Sequence, residues 1–130
     1  MKALFLDDDE LANELVTYIL EFAGITNYTI CTSGNDALKY LKACKQNNDF
    51  PDIIFVDINM PGMNGFEFVG FYEKHFLTYS RKTKVIMLTN FVLSNEKIIA
   101  GKYESISDFW NKPLNTEKLI NLLDTVKPDR

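Results

Sequence analysis

Histidine occurs once in this chain, as His75, and cysteine twice, as Cys31 and Cys44. So thin a supply, without ligand spacing, excludes a Cys/His metal cage, and two cysteines cannot form the disulfide framework of a small secreted domain. Both thiols read as reduced and semi-buried, and His75 as a packing or helix-surface residue. A basic excess is also missing: 14 Lys and Arg against 18 Asp and Glu leave a net charge of −4. That balance argues against nucleic acid as a direct partner. No apolar run is long enough to span a membrane, and the N-terminal one is too short for a signal peptide. The expectation is a cytoplasmic protein without membrane contact. What remains suits one domain of 130 residues with enough apolar content, 46%, for a core. The acidic surplus is concentrated, since Asp7, Asp8, Asp9 and Glu10 alone equal it.

Short β-rich runs alternate with helix-period segments. Lys2–Leu6 reads as a strand, and Leu11, Leu15, Tyr18 and Phe22 recur at the spacing of an amphipathic helix that stops at Gly24. Tyr28–Cys31 is a weaker strand. Ser33 suits the cap of a helix carrying Ala37, Leu38, Leu41 and Cys44 inward. "DIIFVD", 52–57, is a continuous apolar run bounded by acids, as a fully buried strand is. A Pro- and Gly-dense loop, "INMPGMNG", follows. Then comes a helix from about Phe66 to Phe76, whose Phe66, Phe68, Phe71, Tyr72 and Phe76 read as packing. "KVIML", 84–88, is a buried strand, Ser94–Lys102 a helix, and "SDFW", 107–110, a last strand. Asn115 or Thr116 caps a final helix that buries Leu119, Leu122, Leu123 and Val126. Five β-α units of this kind predict a parallel sheet with helices on both faces, and function beyond the carboxyl ends of its strands.

Those ends carry Asp7-Asp8-Asp9, Asp57, Thr89 and, near the last, Lys112 followed by Pro113. If the strands are neighbours, the residues converge. Carboxylates sharing a site raise one another's pKa unless a cation lies among them. One lysine cannot neutralise three, whereas a hard divalent cation such as Mg²⁺ can, and such sites commonly face phosphate. A carboxylate nucleophile with a metal, a lysine and a hydroxyl is the equipment of phosphoryl transfer.

At this point the chain resembles a response-regulator receiver domain of two-component signalling, over almost its whole length (1–130 as one domain). The resemblance rests on "FLDDDE", "VDINMPGMNG", "VIMLTN" and "FWNKPL" in that order. It implies a flavodoxin-like α/β fold, a doubly wound five-stranded parallel sheet in the order 2-1-3-4-5. It also implies residue roles: Asp57 as phosphoacceptor, and Asp7, Asp8, Asp57 and the backbone carbonyl of Asn59 as ligands of Mg²⁺ (or Mn²⁺). Thr89 matches the hydroxyl that closes on the phosphoryl group, Lys112 the lysine that pairs with it, and Phe109 the aromatic switch. Pro113 matches the proline that shapes the loop, where the family's Lys-Pro bond is usually cis. Asp9 falls one step beyond the metal pair and is better read as the cap of the first helix than as a ligand.

The resemblance further implies a signalling switch rather than an enzyme, beyond catalysing its own phosphorylation and dephosphorylation. The donor is a phosphohistidine on a sensor histidine kinase or histidine phosphotransfer protein. The output is a changed α4-β5-α5 face that binds a downstream protein, with Ile98, Lys102 and Tyr103 as candidates to line it. The chain acts as a monomer or a phosphorylation-dependent dimer. Asn59 and Phe91 flank the path of attacking water and tune the lifetime of the phosphorylated state. Phe91 is expected to screen water, and Asn90 to narrow access for small phosphodonors. The receiver pattern fills the chain, so the expectation is a stand-alone receiver acting through protein contacts or a piece of a longer regulator. A haloacid-dehalogenase type phosphatase needs Asp-x-Asp where Asp57-Ile58-Asn59 stands. A flavodoxin needs a hydroxyl-rich cradle where the acids are, and a silent receiver-like module would have lost some of the set.

Overall fold

The structure is a computed structural model that describes residues 1–90 and 94–125. Strands β1 (Ala3–Leu6), β2 (Tyr28–Cys31), β3 (Ile53–Asp57), β4 (Lys84–Thr89) and β5 (Ile106–Asn111) alternate with helices α1 (Glu10–Phe22), α2 (Gly34–Gln46), α3 (Gly65–Phe76), α4 (Ser94–Ala100) and α5 (Thr116–Thr125). All strand pairs are parallel and the sheet runs β2-β1-β3-β4-β5. The fold class and strand order expected from the sequence are the ones observed.

Side chains on a strand alternate between faces, so each central strand feeds two cores. Leu4, Leu6, Ile54, Val56, Val85 and Met87 meet α2 and α3 through Leu41, Phe68 and Tyr72. Ala3, Phe5, Ile53, Phe55, Ile86 and Leu88 meet α1 and α5 through Val16, Leu20 and Leu119 on the other side. Buried on both faces, β3 is apolar throughout until Asp57. Phe5 and Phe55 stack across β1 and β3 with centroids 4.5 Å apart.

The helix starts follow from their caps. Asp9 accepts from the Leu11 N–H, Ser33 from the Asp36 N–H, and Asn115 from the Lys118 N–H. Asn64 and Glu67 form a reciprocal capping box at α3. Asp9 is therefore the cap the sequence suggested, and Asn115 rather than Thr116 caps α5.

The helical spacing read at positions 11, 15, 18 and 22 is the one observed, and that line faces outward. Leu11, Leu15, Tyr18 and Phe22 are 76%, 47%, 76% and 81% exposed, and Val16 and Leu20 face the core. The periodicity was real on both sides of the helix. At 100° per residue, 16 and 20 lie on the opposite side from the line 11-15-18-22, and both sides are apolar. Spacing alone does not say which side meets the sheet. Corrections concern depth. Cys31 and Cys44 are buried, and Phe71 is exposed while Phe68, Tyr72 and Phe76 pack as expected. Phe91, Val126 and the side chain of Leu123 lie outside the described residues.

Candidate functional site

Parallel register brings the carboxyl ends of β1, β3 and β4 side by side, with Leu6 opposite Val56 and Asp57 opposite Leu88. Just past β1, the chain must turn into α1 within three residues, and those three are Asp7, Asp8 and Asp9. The turn is held from both sides. The Asp9 N–H donates to Asp7 Oδ1 at 3.0 Å, and Asn13 Nδ2 donates to the Asp7 carbonyl at 2.9 Å. Asp7 is buried as a result, whereas Asp8 is exposed. One carboxylate oxygen from each of Asp7, Asp8 and Asp57 lies within 4.8 Å of the others.

Lys112 enters from the loop after β5. Its backbone N–H donates to the Thr89 carbonyl at 2.6 Å, and the Lys112-Pro113 bond is cis. The ammonium reaches Asp7 Oδ2 at 2.5 Å and Asp57 Oδ2 at 3.5 Å. The Asn59 N–H donates to Asp57 Oδ1 at 3.3 Å. A cavity of about 530 Å³ opens over the cluster, lined by the three acids, Asn59, Lys112 and Pro113, with Asn90 and Leu11 at its edge. Thr89 is buried at the end of β4, opposite Asn111 of β5. Phe109 is half-buried against Phe66, with ring centroids 6.4 Å apart.

The electrostatics are unbalanced. Three carboxylates and one ammonium leave two negative charges in a mostly buried pocket. Burial, and then the charge of Asp7, push Asp57 from 3.8 up to about 6, although Lys112 pulls the other way. Burial alone would lower Lys112, but its hydrogen bond to Asp7 and the charges of Asp7 and Asp57 outweigh that and raise it. A divalent cation would carry the missing charge, and a cluster of oxygens with open space beside it suits Mg²⁺, which keeps part of its water shell. The donor set therefore fits such an ion, with Asp7, Asp8 and Asp57 able to hold it.

Two supporting residues were not recognised in the sequence. Asn13 ties α1 to the Asp7 carbonyl. Gly65, the first residue of α3, donates its N–H to the Ile58 carbonyl at 2.9 Å. A Cβ there would stand 2.5 Å from the Asp57 carbonyl oxygen and 2.8 Å from Ile58 Cα, closer than atoms can pack. The "NG" after Met63 signals a turn, but only the fold shows that its glycine presses on the back of the Asp57 segment.

A five-stranded parallel sheet in this order, with an acid cluster and a lysine at its carboxyl edge, defines a doubly wound domain with a cation-ready acidic pocket. The sequence profile of the response regulator receiver domain matches residues 3–124. The chain belongs to that family, the receiver domains of two-component signalling. It is 30% identical over 98% of its length to the signal transduction histidine-protein kinase BarA of Shigella flexneri, where the match covers 13% of the relative. It is 28% identical over its full length to the transcriptional regulatory protein BtsR of Salmonella typhi, covering 49% of that protein. The chain thus spans half or less of these relatives. Among solved structures, a two-component response regulator from Cytophaga hutchinsonii superposes with a TM-score of 0.88 at 31% identity, covering 96% of this chain and 95% of the other. No helix of the described residues is long and apolar enough to cross a membrane.

Proposed function

We propose that this chain is a phosphoacceptor switch in which Asp57 takes a phosphoryl group from a phosphohistidine. The observation that carries this reading is the meeting of Asp7, Asp8, Asp57 and Lys112 around one open cavity at the carboxyl edge of the sheet. An Asp57 carboxylate oxygen attacks phosphorus in line. The P–N bond to the donor imidazole, which carries a proton on its other ring nitrogen, breaks, its electron pair returns to nitrogen, and the imidazole leaves neutral. Asp57 is suited to this because the Lys112 ammonium at 3.5 Å and the Asn59 N–H at 3.3 Å favour its carboxylate form. A Mg²⁺ (or Mn²⁺) held by Asp7, Asp8, Asp57 and the backbone carbonyl of Asn59 would supply positive charge for the phosphoryl oxygens. Lys112 carries a second charge to the same oxygens by exchanging its bond to Asp7 for one to the phosphoryl group.

The added group then offers new acceptor oxygens. Thr89 donates to them, Phe109 moves into the space released, and the surface of α4, β5 and α5 changes. A preference of a few kcal/mol for one of two existing shapes is enough to shift the population. The donor is a protein, either a sensor histidine kinase or a histidine phosphotransfer protein, and the apolar line on α1 supports that. Leu11 and Leu15 border the cavity itself, and Tyr18 and Phe22 continue the line away from it. A partner that reaches Asp57 by this mouth covers apolar surface that otherwise faces water. The switch passes its signal to a downstream protein, in the cytoplasm, with residues 1–130 acting as one receiver unit, monomeric or paired when phosphorylated. Asn59, together with Phe91, tunes the lifetime of the phosphorylated form.

The test is phosphotransfer from a panel of phosphorylated histidine kinases, with and without Mg²⁺. Label is expected on the chain only with Mg²⁺ present. Transfer that is equally fast in excess chelator would overturn the metal's part in the reading.

A further inference from the structure

A second cavity, of about 650 Å³, lies between the later half of α2 and the end of α3. It is lined by Lys39, Lys42, Lys45, Gln46 and His75 together with the apolar Leu38 and Phe76. No carboxylate lines it, although the chain as a whole is acidic. The acids of the surrounding elements are engaged elsewhere. Glu67 closes the α3 capping box, Glu73 accepts from the Ser105 N–H and hydroxyl, and Asp49 pairs with Lys2. Asp36 stands one helical turn before Lys39, in the first turn of α2, and does not line the groove.

The helix itself accounts for only part of this. A lysine in the last turn favours the helix dipole, which explains Lys45. The effect fades within a turn and leaves Lys39 and Lys42 unexplained. The three ammoniums recur every third residue along about 9 Å of helix, all lining one groove. Like charges at that spacing repel one another, a cost that a negative ligand reverses. The groove is also remote from Asp57. Lys2, just before β1, reaches Cys44 Sγ near the end of α2 at 3.8 Å and the Asp49 carbonyl in the loop beyond it at 2.8 Å, so this is the amino edge of the sheet.

We infer that this groove docks an acidic segment of a protein partner, with carboxylates about one helical turn apart on Lys39, Lys42 and Lys45 and one apolar side chain seated on Leu38 and Phe76. The composition selects that occupant. A nucleic acid needs a longer cationic track and exposed rings for its bases, and the net charge of −4 opposes a polyanion. A lipid surface needs protruding apolar groups, whereas Phe76 is buried and Leu38 half-buried. Apolar groups among charged ones fit a side chain flanked by carboxylates.

The probe is a helix-forming synthetic peptide with glutamates at three-residue spacing around one phenylalanine, titrated into the ¹⁵N-labelled full chain at low salt. Saturable shifts are expected in the later half of α2 and the last turn of α3. Binding should weaken by about tenfold or more in Lys39→Glu/Lys42→Glu/Lys45→Glu and on adding salt, while phosphoryl acceptance at Asp57 stays unchanged. A peptide with serine in place of phenylalanine should also bind more weakly. If the triple reversal unfolds the chain, Lys39→Ala/Lys42→Ala serves in its place. The inference is overturned if the shifts fall elsewhere, if the lysine variants bind as well, or if the serine peptide, an oligothymidine or phosphatidylserine vesicles compete equally for these residues.

Discussion

At the scale of single residues, Asp57 is a carboxylate that its surroundings penalise. Its pKa in the fold, about 6, lies above the ordinary 3.8. Between those values the folded chain holds more protons than the unfolded one, so metal-free stability falls as pH rises through that window. The full cost is present above about pH 6. Asp57→Asn should therefore raise the metal-free melting temperature at pH 7 and flatten the slope between pH 4 and 6 in urea denaturation. An unchanged slope would mean that Asp57 is not the group at fault. Gly65 offers a second test, because a Cβ there collides with backbone rather than with a flexible side chain. Gly65→Ala should cost about 1–3 kcal/mol and slow phosphoryl acceptance, whereas the neighbouring Phe66→Leu should leave acceptance nearly intact.

At the scale of elements, α1 shows where sequence reasoning reaches its limit. Its two apolar sides are indistinguishable by period, and only packing on Phe5 and Phe55 decides that Val16 and Leu20 go inward. The prediction separates the two sides. Leu20→Ala should cost about 2–5 kcal/mol in equilibrium unfolding. Tyr18→Ala should leave stability within about 0.5 kcal/mol yet reduce phosphotransfer from a protein donor severalfold. Equal transfer would show that the exposed line has no part in donor docking. The strands were easier to read. Buried on both faces, β3 has no polar position to interrupt its pattern, and the caps at Asp9, Ser33 and Asn115 announce themselves by residue type. The acids, Thr89 and Lys112 were legible because each stands at the end of a strand. Gly65 and Asn13 were not, since their roles depend on distances that no local pattern encodes.

At the scale of the whole molecule, the two negative charges left over in the pocket link stability to the metal. A ligand that binds only the folded chain stabilises it by about 2.7 kcal/mol at a hundredfold excess over its dissociation constant. Millimolar Mg²⁺ should thus raise the melting temperature of the native chain, with a smaller rise in Asp8→Asn. Absence of any rise would contradict a metal role for the acid cluster. The most direct measurement concerns the phosphoryl group itself. The chain is phosphorylated by a histidine kinase with Mg²⁺, reduced with borohydride to trap the acyl phosphate, and mapped by mass spectrometry. The account predicts modification at Asp57 and none in Asp57→Asn. Modification at any other residue, or label that persists in Asp57→Asn, would contradict it.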